Sequence, residues 1–62
     1  MFEIGSLAFL KRDITCLTGF CLKNEPVQII RKRDNNLYDA VNLRNQLLFK
    51  IPQSMLMKEQ SF

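Results

Sequence analysis

Between Pro26 and Pro52 three apolar runs are separated by two polar breaks that contain asparagine. Pro26-Val27-Gln28-Ile29-Ile30 leads into Arg31-Lys32-Arg33, and Asp34-Asn35-Asn36 follows. Leu37-Tyr38-Asp39-Ala40-Val41-Asn42-Leu43 comes next, then Arg44-Asn45-Gln46, then Leu47-Leu48-Phe49-Lys50-Ile51-Pro52. Apolar runs of strand length, bounded by such breaks, predict a three-stranded antiparallel meander. Pro26 suits the first residue of a strand, because it has no N–H to give to a ladder. Val27 and Ile29 share the predicted inner face, and Arg31 and Arg33 continue that face past the end of the core. Asp34-Asn35-Asn36 tolerates the left-handed backbone a hairpin turn needs. Asn45-Gln46 marks the second turn. Tyr38, Ala40 and Asn42 share one face of the middle strand. In the third strand Leu47, Phe49 and Ile51 alternate with Leu48 and Lys50.

The same stretch carries a helical reading. Leu37, Ala40, Val41, Leu48 and Ile51 fall on one helical stripe, and Asn36 followed by Asp39 resembles an N-cap with an acidic first turn. The asparagine break at its middle favours two strands. An α+β arrangement with a helix over 37–51 stands as the alternative.

Before this stretch, residues 6–17 read as a first strand or strand pair. Leu7 and Phe9 alternate with Ala8 and Leu10, so both parities are apolar, as in the centre of a small barrel. Lys11-Arg12-Asp13 predicts an exposed bend. Ile14, Cys16 and Leu17 return toward the core, Thr18-Gly19 is a turn signal, and Phe20 and Leu22 alternate beyond it. After Pro52, Gln53-Ser54-Met55-Leu56 has the length of a 3₁₀ turn, with Leu56 packed in the core. Met57-Lys58-Glu59 reads as a short closing strand, and residues 60–62 as a frayed end. The expectation is all-β: one five-stranded small barrel over residues 1–62.

Length sharpens this picture. With 62 residues the chain is a single domain with a small core and marginal stability. Its 47% hydrophobic and 24% charged residues are those of a globular protein. No apolar run is long enough to cross a membrane as a helix. The segment Phe2–Leu10 lacks a basic leader and carries Glu3, so it reads as mature structure and the expected compartment is cytoplasmic. Cys16 and Cys21 are then expected as thiols near a turn. A disulfide across Thr18-Gly19 is an option in an oxidising compartment. With two cysteines and no histidine, the chain lacks the usual set of zinc ligands.

Three stretches resemble the Src-homology-3-like small barrels. Phe20–Ile30 is similar to that family's polar corner feeding an apolar second strand. Tyr38-Asp39-Ala40-Val41-Asn42-Leu43 is similar to its central strand. Phe49-Lys50-Ile51-Pro52-Gln53-Ser54-Met55-Leu56 resembles its closing signature, an Ile-Pro step into a 3₁₀ turn. The likeness spans roughly residues 8–59 and implies a five-stranded barrel. Members that bind proline-rich peptides use a row of aromatics. Leu10, Arg12, Leu37 and Met55 occupy the corresponding places here, so the resemblance does not extend to that activity.

Chemistry follows the same direction. No histidine, Gly-rich phosphate loop or closely paired carboxylates occur, so no enzyme, cofactor, metal or small-molecule substrate is expected. The net charge of +3 and pI near 9.2 permit contact with nucleic acid. Arg31, Lys32 and Arg33, with Lys11, Arg12 and Arg44, form the candidate binding surface, and Tyr38 is the one aromatic near it for stacking. Against this stands a solvated strand end whose charges block edge pairing. Phe2 and Ile4 have no obvious place in a five-stranded core, which points to pairing with a second copy. The expectation is an interaction module that binds a protein partner or itself, in the manner of small phage or mobile-element accessory proteins. A small nucleic-acid-binding protein is the alternative.

Overall fold

The computed structural model describes residues 2–58. The expected frayed end at 60–62 and the Glu59 end of the closing strand lie outside them. The strands are β1 (Leu7–Leu10), β2 (Ile14–Cys16), β3 (Gly19–Cys21), β4 (Pro26–Arg33), β5 (Leu37–Val41), β6 (Leu47–Pro52) and β7 (Leu56–Met57). A tight turn at Asp34–Asn36, left-handed at Asn35 and Asn36, precedes β5, and a single 3₁₀ turn at Gln53–Met55 precedes β7. The chain is therefore all-β, and the alternative helix over 37–51 is overturned. β5 and β6 are antiparallel partners, with Tyr38 opposite Ile51 and Val41 opposite Leu47. Asn45, at φ 59°, supplies the left-handed step that reverses the chain. Asn42 Oδ1 accepts the backbone N–H groups of Arg44 and Gln46, both at 2.9 Å.

β6-β5-β4-β1-β7 form one antiparallel sheet, and β2-β3 form a separate hairpin. Among the described residues no ladder joins β6 to β7, so the sheet is open where the sequence predicts a closed barrel. The hairpin covers one of these edges with side chains. Thr18 Oγ1 donates to Leu47 O, Gln46 Oε1 accepts from Phe20 N, and Asn42 Nδ2 donates to Phe20 O.

The core comprises Ala8, Leu10, Cys21, Val27, Ile29, Tyr38, Ala40, Leu48, Ile51 and Leu56. Burying each large side chain among them stabilises the fold by about 1.5–3 kcal/mol. Val27 and Ile29 face inward, as alternation predicts, and so do Tyr38 and Ala40. Phe20 and Leu22 alternate with Cys21 as expected, with Cys21, opposite Ile14, buried and the other two exposed. Three expectations are corrected. Leu17 lies at the hairpin tip, fully exposed. In β6, Leu48 and Ile51 face inward while Leu47 and Phe49 face out, because a bulge interrupts the alternation at Lys50, whose φ is 56°. In β4 a bulge at Ile30 turns Arg31 away from the Val27/Ile29 face and opposite Asp39.

Phe2 finds a place after all. It packs edge-on against Tyr38, with ring centroids 5.7 Å apart.

Candidate functional site

Two of the basic residues singled out in the sequence are used inside the fold. Arg33 holds Asp39 through Nε, 2.7 Å from Oδ1. This bond keeps the Asp39 carboxyl below its usual range, with the Lys50 backbone N–H assisting against the cost of burial. Arg44 makes a bidentate pair with Glu25 at 3.0 and 3.1 Å, and its guanidinium stacks 4.2 Å above the Phe20 ring. Glu25 is thereby also held low. Arg44 thus ties the β2-β3 hairpin to the loop before β4. Tyr38 has no exposed surface and is no stacking platform. Lys11, Arg12, Arg31 and Lys32 are exposed, and they form no ion pair with the described residues.

The exposed cations divide between two places. Arg31 and Lys32 line a hollow of about 340 Å³ together with Arg33, Asp34, Leu37 and Lys50. Lys50 is an addition: the β6 bulge brings it to this hollow. Lys11 lies elsewhere, on a larger groove of about 670 Å³.

The Asp34–Asn36 turn and the 3₁₀ turn at Gln53–Met55 form the walls of this groove. Asn35 and Asn36 come from the first turn, Gln53 and Ser54 from the second, and Pro52 leads into the latter. Phe2, Leu56 and Met57 supply apolar surface, and Lys11 and Lys58 supply positive charge. No carboxylate lines it among the described residues. Asn35 and Asn36 adopt φ of 62° and 58°, which asparagine tolerates better than most residues. The Lys11 backbone N–H donates to Met55 O at 2.9 Å, fixing the lysine beside the second turn. Beneath the groove Tyr38 Oη accepts from Phe2 N and donates to Gln53 Oε1, both at 3.3 Å. Tyr38 therefore positions two groove residues from below.

Sequence reasoning found Lys11, and singled out Phe2 for contact with a second copy, but missed Asn35, Asn36, Gln53 and Lys58. The available signal was the pair of turn-forming stretches 34–36 and 53–55, which the sheet order brings together. Of the places carried over from the resemblance, Leu10 is buried, Leu37 and Met55 are half-buried, and Arg12 is exposed. Ile4 is exposed, apart from the groove.

Both cysteines are free thiols. They do not face each other across the hairpin, since Cys16 is opposite Gly19 and Cys21 opposite Ile14. Burial, followed by the charge of Glu25, pushes the Cys21 thiol up to about 11. A hydrogen bond with Thr18 Oγ1 at 3.3 Å lowers that of Cys16. No helix among the described residues is long and apolar enough to cross a membrane.

No protein-family model matches this chain, and neither a curated protein nor a solved structure is detectably similar to it.

Proposed function

We propose that this chain is a non-enzymatic interaction module that holds an extended, acidic protein segment in the groove between its Asp34–Asn36 turn and its 3₁₀ turn at Gln53–Met55. One observation carries the reading. Lys11 and Lys58 flank a groove with an apolar floor, amide-bearing walls and no carboxylate among the described residues. Amide side chains offer both donors and acceptors to a peptide backbone. The lysines select carboxylates, and Phe2, Leu56 and Met57 accept an apolar side chain.

The resemblance to Src-homology-3-like small barrels supports this reading. The Ile51-Pro52 step enters a 3₁₀ turn and then a short last strand, as in that family's closing signature. The charge of the groove and its lack of an aromatic row set its ligand apart from proline-rich peptides.

Selection from a random peptide library tests the reading. It predicts enrichment of acidic segments carrying at least one apolar residue. The double variant Lys11→Glu, Lys58→Glu should weaken their binding by about tenfold or more, since it replaces two rim attractions by repulsions. Enrichment of neutral or basic segments, bound equally by the double variant, would overturn it.

A second reading rests on the smaller hollow, where Arg31, Lys32 and Lys50 converge at one end of the sheet. Such a cluster would meet nucleic-acid phosphates and would release counterions on binding. Burial of Tyr38 leaves it without the stacking aromatic a single strand needs. Binding of an RNA or DNA oligonucleotide that weakens steeply with salt, and is lost in Arg31→Glu, would favour this reading over the groove.

A further inference from the structure

Resting on the groove reading, we propose that the acidic segment it takes is bipartite. A first acidic stretch lies in the groove between Lys11 and Lys58. A short uncharged spacer crosses the Asp34–Asn36 turn, and a second acidic stretch reaches Arg31, Lys32 and Lys50.

The groove and the smaller hollow share a rim. The Asp34–Asn36 turn walls both, with Asn35 and Asn36 on the groove and Asp34 on the hollow. Leu37, in the hollow, is the cross-strand partner of Pro52, in the groove. Lys50 lies just before Pro52 on β6, about 7 Å away by the rise of a strand. An extended chain covers that distance in about two residues. A segment leaving the groove at Pro52 therefore meets the hollow at once.

Charge indicates what this segment carries. Arg31, Lys32 and Lys50 are exposed and form no ion pair among the described residues. Arg33 is held by Asp39 and offers no free charge. Asp34 is the one carboxylate lining the hollow, so the free cations outweigh it and favour carboxylates. Asp34 also stands at the turn, between the cations of the groove and those of the hollow. It repels an acidic residue there, so an uncharged spacer fits the crossing better than a continuous acidic run. No aromatic side chain lines the hollow, which suits a protein segment better than a strand of stacked bases. With both stretches on one segment, the second contact becomes intramolecular once the first is made.

Titration of the whole chain with designed peptides tests this, read by calorimetry and by NMR amide shifts. A short peptide carries glutamates and one leucine. A long peptide adds a Gly-Ser spacer and a second run of glutamates, and its control replaces that run with glutamines. The long peptide should bind about tenfold tighter than either, since each exposed cation adds a modest attraction. It alone should shift the amides of Arg31, Lys32 and Lys50 together with those of the groove, a result on the unaltered chain that does not depend on how variants fold. The variant Lys32→Glu, Lys50→Glu should abolish the gain and bind the short peptide as the parent does. Glutamates in place of the Gly-Ser spacer should weaken binding about threefold, and Asp34→Asn should remove that difference. Groove shifts with the short peptide, but no tighter binding of the long one, would overturn the bipartite ligand and leave the groove reading standing. Equal binding with either spacer would likewise overturn it. No groove shifts with any peptide would overturn both. An RNA or DNA oligonucleotide that shifts Arg31, Lys32 and Lys50 where the long peptide does not would overturn it in favour of nucleic acid.

Discussion

Arg33 Nε lies 2.7 Å from Oδ1 and 2.9 Å from Oδ2 of Asp39. The same Oδ1 accepts the Lys50 backbone N–H at 3.0 Å. Asp39 is only 2% exposed and stands between two bulges, with Ile30 inserted in β4 on one side and Phe49-Lys50 facing it from β6 on the other. One carboxylate thus fastens the irregular part of both neighbouring strands.

Removing this carboxylate leaves a guanidinium and a backbone N–H without their partner. Asp39→Ala is expected to destabilise the fold by about 2–3 kcal/mol. Asp39→Asn keeps an acceptor for Lys50 and should cost about 1 kcal/mol. Urea denaturation with an unchanged m-value checks both.

The acid limb follows from the direction of the shift. The folded-state pKa of Asp39 is depressed, chiefly by Arg33. Its stabilising contribution is therefore complete above the unfolded carboxylate value of about 3.9, and is lost as pH falls through the lower folded value. Glu25 shifts in the same direction. Stability measured by urea denaturation should fall progressively below about pH 4, and Asp39→Asn should make that fall shallower without abolishing it. An equally steep acid limb in Asp39→Asn would contradict this.

Gly19 meets Gln46 at the hairpin. A Cβ there would lie 2.6 Å from Gln46 Cβ, too close for either to remain in place. Gln46 Oε1 also accepts from Phe20 N and Asn42 Nδ2, so displacing it loosens the cover over the β6 edge. Gly19→Ala should cost about 1–3 kcal/mol. It should also speed hydrogen exchange in β2 and β3 more than in β4.

Lys50 is the only residue with positive φ among those described that is neither glycine nor asparagine. Lys50→Gly relieves the left-handed strain and is expected to stabilise by about 0.5 kcal/mol. Lys50→Val, β-branched at the same position, should destabilise by about 1–2 kcal/mol. Thermal melts of the pair give the sign directly.

The elements were legible because their punctuation is local. Pro26, the asparagine breaks and the Ile51-Pro52 step place β4, β5, β6 and the 3₁₀ turn close to where the sequence predicts them. The faces were less legible, because a bulge reverses parity without any residue that announces it. Ile30 sends Arg31 to the outer face, and Lys50 exchanges Phe49 for Leu48 in the core. The basic cluster looked uniform in sequence because its partners are distant. Asp39 and Glu25 take Arg33 and Arg44, and only the sheet order reveals it. For the same reason the groove was invisible: residues 2, 11, 35–36, 52–54 and 56–58 meet only once the sheet is assembled, with β7 paired to β1.

The central claim is that the groove between the Asp34–Asn36 turn and the 3₁₀ turn at Gln53–Met55 takes an acidic peptide. NMR amide-shift mapping during titration with a short glutamate-rich peptide containing leucine tests it most directly. Saturable shifts at Lys11, Asn35, Asn36, Gln53, Ser54 and Lys58, lost in Lys11→Glu, Lys58→Glu, are the predicted result. Shifts confined to Arg31, Lys32 and Lys50, or none that saturate, would contradict the account.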